Sequence, residues 1–350
     1  YIKVSHFNKV YTFGCNDEGA LGRVTDGKEE AEFKPDKVEL TEKVVQVSAG
    51  DSHSAALTET GKVFMWGNFR DSSGSIGLTS FGPQKKPVPI LPEVTVVKIA
   101  SGSDHLALLA NDGKLYTCGC GEQGQLGRIP QYFSARGGRK GLGYMLNPAQ
   151  VKVSKRQGRG YVDFDDVWTG SYVTFCREKD SGDIYGFGLN NFYQLGFGDP
   201  ESRLSPEFIQ SFWGRRWQSI SSGQHHTIAL DDTGSVFTLG RKEYGRLGLG
   251  EDCHDQSSPT LVPDLKEVVC SNIAAGNLVS YAVSQNGDVY SWGMGTNGQL
   301  GHGDEDDVFS PQKIGGKVIS SKKCFIVSSG GQHTIMVADE PACVPNNDKK

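Results

Sequence analysis

The chain has 350 residues, 37% of them apolar, with 46 glycines and a formal net charge of −5. This apolar content supports a packed core, the mild acidity gives no global case for nucleic acid, and no run of 18 apolar residues exists to span a membrane. The length suits two ordinary domains or one large all-β domain, and glycines recurring at fixed places favour the second.

After an opening "YIKVSH", each unit of the chain begins with a short alternating run ending in glycine. In order these are "VYTFG", "VFMWG", "LYTCG", "IYGFG", "VFTLG" and "VYSWG". Period-2 patterning with β-branched and aromatic residues predicts strands. The closing glycines fall at 14, 67, 119, 188, 240 and 293, with spacings of 53, 52, 69, 52 and 53. A glycine-rich loop follows each, such as "CGEQGQLG". Then comes a strand pair around Gly-x-x-His, as in "IASGSDHLALL", and a tight hairpin turn such as "NDGK". Two units replace the histidine, in "WTGSYVTF" and "AAGNLVSYAV". Six complete repeats of strand and turn predict radially arranged small sheets, an all-β propeller over residues 1–350 as a single domain.

Two units break the rule. In five of them the opening glycine is followed eight positions later by another, but Gly67 reaches Gly77 only after ten. The two extra residues in "WGNFRDSSGSIG" predict a hairpin that stands off the regular loop surface. The 69-residue spacing contains the second irregularity. From Arg128 to Gly160 there are eight Lys or Arg and no Asp or Glu, a local reversal of sign in an acidic chain.

Eight cysteines show no Cys-x-x-Cys spacing, and most sit in or beside strand-like runs, which predicts reduced, packed thiols in an intracellular protein. Cys253-His254 has no second pair at ligand spacing, so no metal and no cofactor are expected. Neither a serine nucleophile elbow nor a Gly-x-x-x-x-Gly-Lys-Ser/Thr phosphate loop occurs, and no covalent chemistry is expected. His53, His105 and His226 read as structural, their imidazoles bonding a neighbouring backbone to fix the turn.

The motifs "CNDEGALGR", "CGEQGQLGR", "KEYGRLGLGE" and "SSGGQHT" resemble the regulator of chromosome condensation family, chromatin-bound nucleotide exchange factors for the GTPase Ran. The resemblance covers almost the whole chain and includes the irregular insertions. The repeat alone is shared with ubiquitin ligases, a plant ultraviolet receptor and β-lactamase inhibitors, so by itself it implies only the fold. The family propeller has seven blades. "YIKVSH" resembles the segment before the family's first repeat and "NKVYTFG" the second repeat. One repeat, and the basic N-terminal tail with its nuclear localisation signal, are therefore expected to be missing.

What the resemblance implies is specific. Phe69, Arg70, Asp71, Ser72, Ser73, Gly74, Ser75 and Ile76 would form a wedge pressed against Ran beside its nucleotide. Asp51, Asp104, His225 and His333, with Arg128 and Asn191, would face Ran, while Tyr193 replaces a family histidine. Arg136 and Arg139 would reach the histone acidic patch, and Lys155, Arg156 and Arg159 would contact nucleosomal DNA without sequence preference. The implied setting is the nucleus, on chromatin, away from membranes. The competing reading is a non-catalytic propeller scaffold that binds histones or another protein partner without exchange activity.

Overall fold

The repeat builds four-stranded antiparallel sheets, but repeat and sheet are half a unit out of phase. A computed structural model describes residues 9–25, 28–134, 141–156, 158–316 and 318–339. From the second repeat on, each opening run supplies the third strand of a sheet, and the Gly-x-x-His element of the same repeat joins the first two strands of the next sheet. Each repeat is thus divided between successive sheets.

By contact density the chain divides into two compact units, one of residues 1–191 with 200–213 and one of 192–199 with 214–350. The first unit starts with β1 (Tyr11–Thr12) paired to β2 (Asp36–Lys37). Next come β3 (Val44–Ala49), β4 (His53–Thr58) and β5 (Val63–Gly67), then a separate hairpin of β6 (Phe69–Asp71) and β7 (Gly74–Gly77). β8 (Gln84–Ile90) completes the sheet β3-β4-β5-β8. A second sheet joins β9 (Val96–Ser101), β10 (His105–Ala110), β11 (Leu115–Gly119) and β12 (Ala149–Val151). A third joins β13 (Phe164–Thr169), β14 (Val173–Glu178), β15 (Ile184–Gly188) and β16 (Arg203–Phe208).

The second unit repeats the plan. Its first sheet is β17 (Trp217–Ser222), β18 (His226–Asp231), β19 (Val236–Gly240) and β20 (Gln256–Leu261). Its next is β21 (Cys270–Ala275), β22 (Val279–Ser284), β23 (Val289–Gly293) and β24 (Val308–Lys313). The pair β25 (Cys324–Ser329) and β26 (Thr334–Ala338) follows. The described residues thus form four-stranded propeller-type sheets flanked by a two-stranded pair at either end of the chain.

The core lies between neighbouring sheets, so an inner second strand such as β10 is covered on both faces and loses the alternation of a half-exposed strand. All six residues of β10, "HLALLA", are buried. Leu106 and Leu108 pack towards Leu57 and Met65 of the preceding sheet. Ala107 and Leu109 pack towards Val167 and Cys176 of the following one. In the second unit Ile228, Leu230, Ile273, Ala282 and Trp292 form the equivalent layer.

The glycine of Gly-x-x-His sets how closely the sheets approach. A Cβ on Gly102 would lie 2.1 Å from Cε1 of His105 and 2.5 Å from the carbonyl oxygen of Gly170 in the next sheet. Gly50 meets the Gly102 oxygen in the same way, at 2.4 Å. Only glycine admits both neighbours at once. The turns are also joined directly: the Asp51 N–H donates to Ser103 O at 2.9 Å, and the Ser103 N–H to Ser171 O at 3.1 Å.

The imidazoles of His105 and His226 reach the next sheet. Nε2 of His105 meets Thr174 Oγ1 at 3.0 Å and Nε2 of His226 meets Ser280 Oγ at 2.9 Å, each hydroxyl lying on the second strand of the next sheet. Both nitrogens of His53 lack partners. Burial pulls all three pKa values down to about 3, and they are neutral at pH 7. Cys118, Cys120, Cys176, Cys270 and Cys324 are buried free thiols, and Cys15 and Cys253 are also unpaired.

Candidate functional site

In the first unit, the β3–β4, β9–β10 and β13–β14 turns share one end of their sheets with the loops that follow β5 and β11. Antiparallel topology requires this, and one contact fixes turn to loop. The N–H of Cys120, just after β11, donates to the carbonyl of Asp104 at 2.7 Å. Gly119 permits the approach, since its Cβ would lie 2.5 Å from that oxygen, and its φ is +117°. The sequence elements expected to act together are therefore adjacent at this end. Asp51 is exposed and Asp104 half-buried.

The segment 69–77 forms the expected hairpin, with Phe69 paired to Gly77 and Asp71 to Gly74. Its root differs from the expectation of a freely projecting loop. Phe69 is fully buried, its ring 4.6 Å from that of His53, so it anchors the hairpin between sheets and does not face outward. Ile76 is buried beside it in the same core. Burying such rings typically contributes about 1.5–3 kcal/mol. Arg70, Ser72, Ser73 and Ser75 are exposed, while Asp71 and Gly74 are half-exposed.

Three carboxylates hold this hairpin. The Arg70 N–H donates to Asp104 Oδ1 at 2.8 Å. Glu18 takes Asn68 Nδ2 at 2.7 Å and the Arg70 guanidinium at 3.3 Å. At the tip, Ser72 donates its N–H to Glu122 Oε2 at 2.9 Å and its hydroxyl to Glu122 Oε1 at 2.7 Å. Asn68 braces the inside, accepting from the Gly77 N–H at 2.9 Å and donating to Ser75 Oγ at 2.8 Å. Glu18 and Glu122 were not singled out from sequence. The available signal was their position in the glycine loops that flank the long one, "NDEG" and "GEQG".

Electrostatics concentrate on Asp104. Burial raises its pKa to about 6; the Arg70 N–H pulls it down, and the nearby Asp51 pushes it up. Tyr172, on the equivalent turn of the third sheet, is also raised, by burial first and then by Asp51 and Asp104. The site is thus a negatively charged surface with a constrained hairpin beside it. Among the described residues no group of three His, Cys, Asp or Glu could hold a metal ion.

Arg128 is engaged by backbone within its own repeat. Its guanidinium donates to Thr117 O at 2.8 Å, Tyr144 O at 2.6 Å and Asn147 O at 3.1 Å, closing the base of the long insertion. The arginine after "ALG", Arg23, does the same, donating to the carbonyls of Thr12 and Ala31. A guanidinium filled by carbonyls that would otherwise be unpaired is a structural clamp. Asn191 is exposed at the end of the first unit's longer segment.

In the second unit, His225 occupies the turn position matching Asp104. Its ring meets Phe192 edge-on at 4.9 Å, and burial lowers its pKa ahead of the charges of Arg246 and Arg241. His333 is exposed, unlike His226, because β26 is the last described strand and nothing among the described residues covers that histidine. Tyr193 adopts a positive φ of 63° in the loop where other repeats place glycine.

The basic insertion is only partly described: Arg136 and Arg139 lie outside the described residues. Lys155, Arg156 and Arg159 follow β12 and precede β13, at the sheet end opposite Asp104. Two of these cations are already paired, Lys155 with Asp180 at 3.6 Å and Arg156 with Asp183 at 3.7 Å.

Residues 2–336 match the model of the RCC1-like domain family. The chain is 54% identical to the regulator of chromosome condensation of Xenopus laevis over 333 residues, covering 94% of this chain and 77% of that one. The Homo sapiens regulator is 52% identical over 344 residues, covering 97% and 80%. Among solved structures, Prp20p of Saccharomyces cerevisiae, described with its binding properties to Gsp1p and histones, superposes with a TM-score of 0.82. It is 28% identical, over 96% of this chain and 79% of Prp20p. With the repeat, the sheets and these similarities in agreement, the chain belongs to the RCC1-like domain family of β-propeller proteins.

Proposed function

We propose that the protein is a guanine-nucleotide exchange factor for Ran that works on chromatin. The observation that carries this reading is the β6–β7 hairpin, rooted by Phe69 and strapped by Glu18, Asp104 and Glu122. A loop held at three points keeps its shape when pressed against a partner, as displacing a bound nucleotide requires. The surrounding carboxylates Asp51 and Asp104 supply attraction for basic GTPase residues and speed encounter. No covalent step is involved. By linkage, a factor that binds the nucleotide-free GTPase more tightly weakens nucleotide by the same ratio.

In this reading Arg70, Asp71, Ser72, Ser73 and Gly74 touch Ran, Phe69 positions them, and Asp51, Asp104, Asn191, His225 and His333 extend the interface. Arg128 acts through the loop it clamps. Docking on nucleosomes is assigned to Arg136 and Arg139 at the histone acidic patch, with Lys155, Arg156 and Arg159 on DNA phosphates. The last three lie at the sheet end away from Asp104, which is compatible with holding Ran and chromatin together.

The deciding experiment is the rate of GDP release from Ran with and without the protein, beside nucleosome binding at about 0.15 M salt, where charges are screened beyond ~8 Å. Accelerated release is expected. Arg136→Glu with Arg139→Glu is expected to abolish nucleosome binding and leave release intact. Nucleosome binding without accelerated release would favour the scaffold reading.

A further inference from the structure

A groove of about 650 Å³ opens at the far end of the third sheet, between the β14–β15 turn and the end of β16. Its walls include Lys155, Arg156, Glu178, Asp183, Phe208 and Trp213. One cation seat in it is filled from within: the Arg156 guanidinium lies 3.8 Å over the Phe208 ring and 3.7 Å from Asp183. An aromatic face with a carboxylate at its edge is how proteins hold a guanidinium or ammonium group.

A second carboxylate and a second aromatic ring, Glu178 and Trp213, line the same groove. Glu178 accepts the Tyr185 hydroxyl at 3.3 Å and has no ion-pair partner among the described residues. Trp213 is 66% exposed, whereas Trp66, Trp168, Trp217 and Trp292 are all buried. The charges also discriminate. Lys155 and Arg156 each already face an acid, Asp180 and Asp183, which leaves Glu178 as the lining charge that a cationic occupant would complete.

We propose that this groove docks a short basic peptide, seating one of its arginine or lysine side chains between Trp213 and Glu178. Arg156 holds the neighbouring seat and fixes the groove wall. Such a peptide would approach from the face opposite Asp104, so its binding is independent of the exchange reading, and it would compete with DNA for the surface that Lys155 and Arg156 line.

The test titrates the full chain with a capped heptapeptide of alternating arginine, lysine and glycine, reading Trp fluorescence and peptide anisotropy. Saturable binding is expected, weakened at least about tenfold by Glu178→Gln and by Trp213→Ala, with thermal midpoints confirming that both variants are folded. The same peptide with glutamate at every basic position should not bind, a comparison that needs no variant. Absence of saturable binding by the basic peptide overturns the proposal. So does equal affinity in folded Glu178→Gln and Trp213→Ala. A duplex DNA oligonucleotide that binds through Trp213 where the peptide does not would assign the groove to nucleic acid.

Discussion

The backbone N–H of Arg70 donates to the carboxylate of Asp104 across 34 positions of sequence, joining the hairpin that follows one sheet to the Gly-x-x-His turn of the next sheet within the same repeat. Asp104 therefore serves two surfaces at once. One oxygen orders the hairpin, and in the exchange reading the charge of the carboxylate would be presented to Ran.

In the exchange reading, Asp104 should give release a pH dependence. Its folded pKa of about 6 is above its ordinary value, so protonation is favoured in the fold. The sign follows: this group's contribution to stability is fully present below the unfolded pKa near 4 and is lost as pH rises through about 6. Exchange should behave oppositely, falling as pH drops below about 6 and the charge disappears. Asp104→Asn, which keeps an acceptor for Arg70 and removes the charge, should lower the release rate and flatten its profile between pH 7 and 5. A variant profile that still falls through that range would assign the titration to another group.

Deleting Ser72 and Ser73 restores the eight-residue spacing of the other repeats and removes the two bonds to Glu122. Phe69 and Ile76 remain in the core, so the thermal midpoint should change little. The saturated Ran release rate should fall more than the affinity for Ran. Equal loss of both would make the hairpin a holding contact and not a displacing one.

The three buried neutral histidines make the fold acid-sensitive. Each has a folded pKa of about 3 against about 6.5 unfolded, so the unfolded chain takes up the protons. Their contribution is present above about 6.5 and is lost as pH falls towards 3. At about 1.4 kcal/mol per proton and pH unit, three of them give a slope of about 4 kcal/mol per unit within that window. Denaturation midpoints between pH 6 and 4 measure it. His53→Leu, which breaks no hydrogen bond, should reduce the slope by about a third.

Gly102→Ala and Gly143→Ala form a matched pair. The first forces a methyl group to within 2.5 Å of the Gly170 carbonyl and 2.1 Å of the His105 ring, and should cost about 3 kcal/mol or more. The second places it in open space on the helix Leu142–Leu146, where alanine should stabilise by about 0.5–1 kcal/mol. Equal midpoints for the two variants would refute the steric role of the Gly-x-x-His glycine.

The regular part of this molecule was legible because its constraints are local and repeated. Gly67 and Gly119 mark strand ends, and the ten-residue gap to Gly77 forecast the β6–β7 hairpin. What escaped depends on contacts between repeats. Nothing local distinguishes the buried Phe69 from an exposed loop aromatic, since its burial comes from His53 and Gly119 on other strands. His105 was expected to bond a nearby backbone, yet its partner Thr174 is 69 positions away. The carbonyls that fill Arg128 belong to the irregular end of an insertion, so its clamp is not legible in the repeat. Glu18 and Glu122 were passed over for the same reason, their partner being the one loop that breaks the repeat.

The nesting of one glycine carbonyl against the next glycine has a consequence for how such a chain can change. Because bare backbone meets bare backbone at Gly50, Gly102 and Gly170, the pitch from sheet to sheet in this unit is gauged by atoms that every residue type possesses. Side chains then fill whatever gap that gauge leaves. Drift in the packing layer, such as valine for leucine on β10, alters local density without altering the angle at which the next sheet departs. Errors therefore do not accumulate around the array. Loops at the sheet ends are free to diverge while the positions from which they spring stay in register.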